Sequence, residues 1–104
     1  MSLCLVYITT SSVEEAEIIG GNLVTRKLAA CVNIVENMKS IYQWEGKIER
    51  GNEVILIAKT KEALIGELTE HVKALHSYSC PCIVSIPITG GNEAFLNWIR
   101  NETK

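Results

Sequence analysis

The stretch that most restricts what this chain can fold into runs from residue 28 to residue 60, LAACVNIVENMKSIYQWEGKIER followed by GNEVILIAKT. Its β-branched and aromatic residues read as the two arms of one unusually long antiparallel hairpin. The turn has two candidates, Glu49-Arg50-Gly51-Asn52 or Gly46-Lys47, the second of which also suits a bulge. A chain of 104 residues holds too little material to cover two such strands along their length. The overhang offers unpaired backbone N–H and C=O groups to something else, most economically another copy of the same chain.

Around the hairpin the punctuation is regular. Residues 3–8 (LCLVYI) are apolar throughout, as expected of a central strand. Ser12 and Glu15 fit a capping box opening a helix that carries Ala16, Ile19, Leu23 and Leu28, with Gly20-Gly21 marking a weak or closely packed middle. Leu64, Leu68, Val72 and Leu75 form a stripe on a second helix over about 61–76. Residues 83–88 make a fourth strand that Pro87 restricts to an edge or a bulge, and Asn92 caps a last helix carrying Phe95, Leu96, Trp98 and Ile99. The order β-α-β-β-α-β-α, with right-handed crossovers, predicts one α+β domain over 1–104: a ferredoxin-like βαββαβ sandwich with an antiparallel sheet of order 4-1-3-2, an extra C-terminal helix and a long β2-β3 hairpin. The two fully apolar runs, 3–8 and 54–58, fall on the strands this order makes central.

Composition narrows the function. A net charge of −2 and a pI near 5.7, with scattered lysines and arginines, argue against nucleic acid. No apolar run approaches the roughly 20 residues needed to span a bilayer, so no membrane partner is expected. The apolar start lacks a basic leader, and a cytoplasmic location is the expectation. Cys4, Cys31, Cys80 and Cys82 match neither a redox nor a zinc-knuckle spacing and are expected to be reduced.

Three groups of residues are candidates for chemistry. His76, Tyr78, Cys80, Pro81 and Cys82 form a dense polar and soft cluster that suits copper(I) or zinc; alternatively His76 interacts with a helix C-terminus, Tyr78 anchors the loop and the thiols pack. Tyr42 and Trp44 lie on one strand face and suit an oligomer contact or a pocket wall. Lys59 closes a central strand beside a helix start, where an anion would bind; the alternative is a solvated Lys59 next to a Thr60 N-cap. His71, off register from His76, reads as a solvated helix-surface residue. No nucleophile with its base is marked, and no enzymatic activity is expected.

Taken together, residues 28–34 (LAACVNI), 40–49 (SIYQWEGKIE), the 53–60 strand ending in Lys-Thr, the H-x-Y-x-x-P of 76–81 and the closing Asn92…Trp98-Ile99 resemble the CutA divalent-cation-tolerance family almost end to end. The resemblance implies a homotrimer in which long hairpins extend neighbouring sheets, similar to the PII-like signalling proteins. It implies a role in tolerance or homeostasis of copper and other divalent cations. No cofactor is required, and copper or another divalent cation is the candidate ligand. The recurring polar positions of the family fall on Cys31, Tyr42, Trp44, Lys59, His76 and Tyr78, implying a ligand site in the intersubunit cleft. Cys31, His76 and Cys82 are the candidate metal ligands, and Tyr42, Trp44, Lys59 and Tyr78 the candidate small-ligand contacts. Two positions depart from the pattern: Cys82 replaces an acidic residue, and Glu36-Asn37 replaces a Pro-Gly. A purely structural trimeric scaffold and a direct copper-binding protein are the competing readings.

Overall fold

In a computed structural model, which describes residues 2–104, four strands and three helices alternate as expected. They are β1 (Leu3–Thr10), α1 (Val13–Thr25), β2 (Cys31–Trp44), β3 (Lys47–Lys61), α2 (Ile65–Leu75), β4 (Ile83–Ile88) and α3 (Glu93–Asn101). The antiparallel sheet has the order β2-β3-β1-β4, so the ferredoxin-like arrangement read from the sequence is the one observed. Pro87 lies on the edge strand β4, where its missing N–H interrupts no central ladder.

The strands' period of two sorts their side chains onto two faces. Cys4, Val6 and Ile8 of β1, with Val54, Leu56 and Ala58 of β3, are buried against Ala16, Ile19 and Leu23 of α1 and Leu68 and Val72 of α2. Leu3 and Ala30 join Leu96 and Ile99 of α3 in a second, smaller cluster. On the opposite face Leu5, Tyr7, Ile55 and Ile57 are only half-buried, and Val35, Val84 and Ile86 are exposed. Strands β1 and β3 are therefore apolar on both sides, although α1 and α2 cover only one and α3 reaches the other only at its Leu3 end.

The hairpin outruns the rest of the sheet. β1 pairs with β3 only as far as Thr10 opposite Val54, whereas β2 and β3 stay paired to Trp44 opposite Lys47. The projecting arm gives the molecule extents of 44 × 24 × 23 Å. Its turn is Glu45-Gly46, both with positive φ (49° and 79°), as a tight two-residue connection matching the strand twist requires. Residues 49–52, the other candidate for the turn, lie within β3. Glu36 and Asn37 form a bulge between Val35 and Met38, with Asn37 at φ 64°. The extra residue reverses the alternation along β2: Cys31, Asn33 and Val35 share the uncovered face with Met38, Ser40, Tyr42 and Trp44.

Helix boundaries differ from expectation at two points. Leu28 lies beyond α1, though it is buried in the same core. Residues 62–64 form a single 3-10 turn, and Lys61 belongs to β3, so α2 starts four residues later than its apolar stripe suggested. No helix among the described residues is long and apolar enough to cross a membrane.

Candidate ligand pocket at the root of the hairpin

Where the hairpin leaves the sheet, the uncovered face bends into a cavity of about 690 Å³. Its walls come from three places: Tyr7 and Thr9 on β1, the β2 side chains from Met38 to Trp44 with Glu53 across from them, and the 78–82 loop. Alternation along β2 after the bulge aims Met38, Ser40, Tyr42 and Trp44 into the same space, with Glu53 opposite Met38. Tyr42 and Trp44 are roughly half exposed, at 47% and 44%, so both rings remain available to a ligand or partner.

Tyr78 enters from the loop and donates its hydroxyl to Glu53 Oε2 at 2.9 Å. Burial, followed by that bond and the Glu53 charge, pushes its phenol well above the ordinary range. Tyr7 donates to Met38 Sδ at 3.3 Å. Cys82 reaches the same cavity; burial pushes its thiol up, and only a Thr9 hydrogen bond opposes this. Cys80 is exposed at the rim, and all four cysteines are free thiols.

His76 stands behind this wall, not in it. Its side chain is fully buried. Nε2 lies 2.8 Å from the Thr9 carbonyl oxygen, and Nδ1 lies 3.1 Å from the Tyr78 N–H. A carbonyl can only accept and an N–H can only donate, so the Nε2–H tautomer satisfies both bonds and leaves no nitrogen lone pair free. The imidazole therefore ties the end of β1 to the loop carrying Tyr78, and its ring lies 4.7 Å from that of Tyr78. Glu15 braces the same junction: it accepts from Ser11 N–H at 2.9 Å and from Ser77 N–H at 2.8 Å. Ser12 caps α1 through the Glu15 N–H as expected, but the Glu15 carboxylate reaches past Ser12 to Ser11 and to the loop.

Lys59 is elsewhere. Six residues along β3 from Glu53, at about 3.3 Å per residue, place it roughly 20 Å away. Its ammonium hydrogen-bonds Asn33 and lies 3.6 Å from Cys31 Sγ, its cross-strand neighbour. Thr60, the alternative N-cap, is fully buried in β3 and donates to the Leu28 carbonyl at 2.6 Å. The seven expected site residues thus divide into three groups. Tyr42, Trp44, Tyr78 and Cys82 share the pocket, Cys31 and Lys59 pair on the sheet, and His76 is a buried tie. Among the described residues no three His, Cys, Asp or Glu side chains converge to hold a metal ion, so Cys31, His76 and Cys82 do not form a ligand set within one chain. His71, expected to be solvated, is half-buried, with Nε2 sealed off and unpartnered among the described residues.

Sequence reasoning missed Glu53, Tyr7 and Met38. The signal was present in the register: a carboxylate on a strand face that is otherwise apolar, opposite the arm carrying Tyr42 and Trp44.

A four-stranded antiparallel sheet of ferredoxin-like order, an overlong hairpin and an aromatic-lined pocket at its root define a small α+β domain. The CutA1 divalent ion tolerance protein family matches residues 4–102, and the chain belongs to that family. The divalent-cation tolerance protein CutA of Archaeoglobus fulgidus is 51% identical over 94 residues, covering 90% of this chain and 91% of its own. The chloroplastic CutA 1 of rice, Oryza sativa, is 46% identical over 100 residues, covering 96% of this chain and 56% of its own. The chain therefore spans only about half the length of the plant relatives it matches. The crystal structure of rice CutA1 superposes with a TM-score of 0.97 at 44% identity, covering 100% of this chain and 95% of that one. The expected cytoplasmic location does not stand: the rice and Arabidopsis relatives are named chloroplastic, and the A. fulgidus structure, 47% identical with a TM-score of 0.95, is described as a periplasmic protein.

Proposed function

We propose that this chain acts in divalent-cation tolerance as a homotrimer whose ligand site is the pocket at the hairpin root, enclosed where neighbouring copies meet. The observation that carries the reading is the uncovered apolar face. Leu5, Tyr7, Ile55, Ile57, Val84 and Ile86 remain at least partly open to solvent in the single chain, beside a hairpin whose projecting arm has no third strand. Burying that face against further copies removes apolar surface from water, and the arm supplies the edge through which sheets join. The family's tolerance role supports the physiological half of the reading. Tolerance is assigned to ligand-dependent behaviour of the assembly: His76 has no free lone pair, and the candidate soft ligands Cys31 and Cys82 lie apart in the chain.

Native mass spectrometry of the reduced protein, alone and then with modest excesses of copper(I), copper(II) and zinc, tests both halves. The expected result is a mass of three chains without stoichiometric metal. A monomer overturns the assembly, and uptake of three ions per trimer overturns the ligand-mediated mechanism in favour of a direct metal site.

A further inference from the structure

We propose that the pocket at the hairpin root binds an organic cation, an alkylammonium or guanidinium group held by Glu53 and by the faces of Tyr42 and Trp44. The inference rests on reading this cavity as the ligand site, and not on the number of copies in the assembly.

Among the described residues Glu53 is the only carboxylate lining the cavity, and rings of Tyr7, Tyr42, Trp44 and Tyr78 share the lining with it. Aromatic faces carry negative quadrupole charge, so rings grouped with a partly desolvated carboxylate favour a cation with apolar substituents. Tyr78 orients the Glu53 side chain by donating to Oε2. Gly51 lies on the same strand face, two residues from Glu53 and opposite Ser40, so no side chain projects there. A Cβ built at Gly51 would meet nothing within 4 Å. Glu49 follows on that face, opposite Tyr42, and extends the acidic character toward the turn.

Two features narrow the ligand class. A bare divalent ion needs several oxygen ligands, and the lining offers one carboxylate already engaged by a phenol. An anion would find one lysine, Lys39, whose place on β2, opposite Asn52, alternates away from the face that carries Glu53, Tyr42 and Trp44. Lys59, the expected anion contact, is at the far end of β3.

The test is isothermal titration of the full chain with tetramethylammonium chloride, against matched sodium chloride, and with tert-butanol as the neutral isostere and acetate as the anion. The expected result is saturable binding of the cation at least about tenfold tighter than tert-butanol. Glu53→Gln, which keeps an acceptor for Tyr78, and Trp44→Leu should each weaken it by about tenfold or more, with unchanged far-UV circular dichroism. If either variant loses its fold, the cation-to-isostere ratio on the unaltered protein still decides. A ratio near one, absence of saturable binding, or tighter binding of acetate overturns the proposal. Masses measured on the same samples separate the two readings: cation binding by a monomer sinks the trimer alone, and a trimer that ignores the cation sinks this inference alone.

Discussion

At the scale of single residues, the most constrained group is one whose role is to join elements. The Glu15 carboxyl is held down to about 2. Burial alone would push it up from its ordinary 4.5, but hydrogen bonds from Ser11 and Ser77 favour the charged form and outweigh burial. Its folded value lies below its unfolded one, so its stabilising contribution is complete above about pH 4.5 and is lost as pH falls from there toward 2. Glu15→Gln should therefore cost about 2 kcal/mol at pH 7, the scale of hydrogen bonds to a charged group. Urea melts of the two proteins should converge as pH is lowered through that window, and a constant gap down to pH 2 would refute the assignment. The capping-box pattern announced Ser12 and Glu15 because it is local, with partners three residues apart. The Glu15–Ser77 and His76–Thr9 bonds, spanning 62 and 67 residues, had no local signature, which is why His76 read as a candidate metal ligand.

At the scale of elements, α1 shows how adjacent glycines take opposite roles. Gly20 faces the sheet, where a Cβ would come within 2.9 Å of Val32 Cγ2 and 3.2 Å of Leu56 Cδ1, whereas one at Gly21 would meet nothing within 4 Å. Gly20→Ala should overpack the helix–sheet contact and destabilise by about 1–3 kcal/mol. Gly21→Ala should stabilise by about 0.5–1 kcal/mol through helix propensity. Thermal melts of the two single variants check this, and shifts of the same sign would contradict the packing described. The helix, its cap and the four strands were legible because apolar period and turn residues act locally. The hairpin turn has two candidates in the sequence because Gly51 and Gly46 both look like punctuation. What selects Glu45-Gly46 is the pairing of 49–53 with 38–42, set by register across the whole arm. In the sequence Glu36-Asn37 stands out only as a departure from a family Pro-Gly, yet the bulge it forms decides that Tyr42 and Trp44 face the pocket. Without the extra residue they would project from the opposite face, and only the backbone path reveals that.

At the scale of the whole molecule, the two apolar strands are the feature that a single copy leaves without a cause. The apolar runs 3–8 and 54–58 read as central strands buried on both sides, but α1 and α2 shield only the alternate positions Cys4, Val6, Ile8, Val54, Leu56 and Ala58, and α3 adds only Leu3 on the other face. The proposed assembly supplies a physical reason for Leu5, Tyr7, Ile55 and Ile57 on the other face, because it would keep that face dry. The sharpest probe is a charge at the middle of it. Ile57 sits between Tyr7 and Asn33 in the sheet, half-buried in one chain, so a glutamate can turn toward water while the copy is alone. It would be left desolvated and unpaired if the face were covered. Ile57→Glu should therefore fold as a monomer, with circular dichroism like that of the unaltered protein but a melting temperature lower by at least about 10 °C, because it no longer gains from assembly. Its melting temperature should also lose the dependence on protein concentration that an oligomer must have. Sedimentation velocity reads the outcome directly. A variant that still sediments as three chains would place the interface elsewhere and leave the apolar face of this sheet to some other partner.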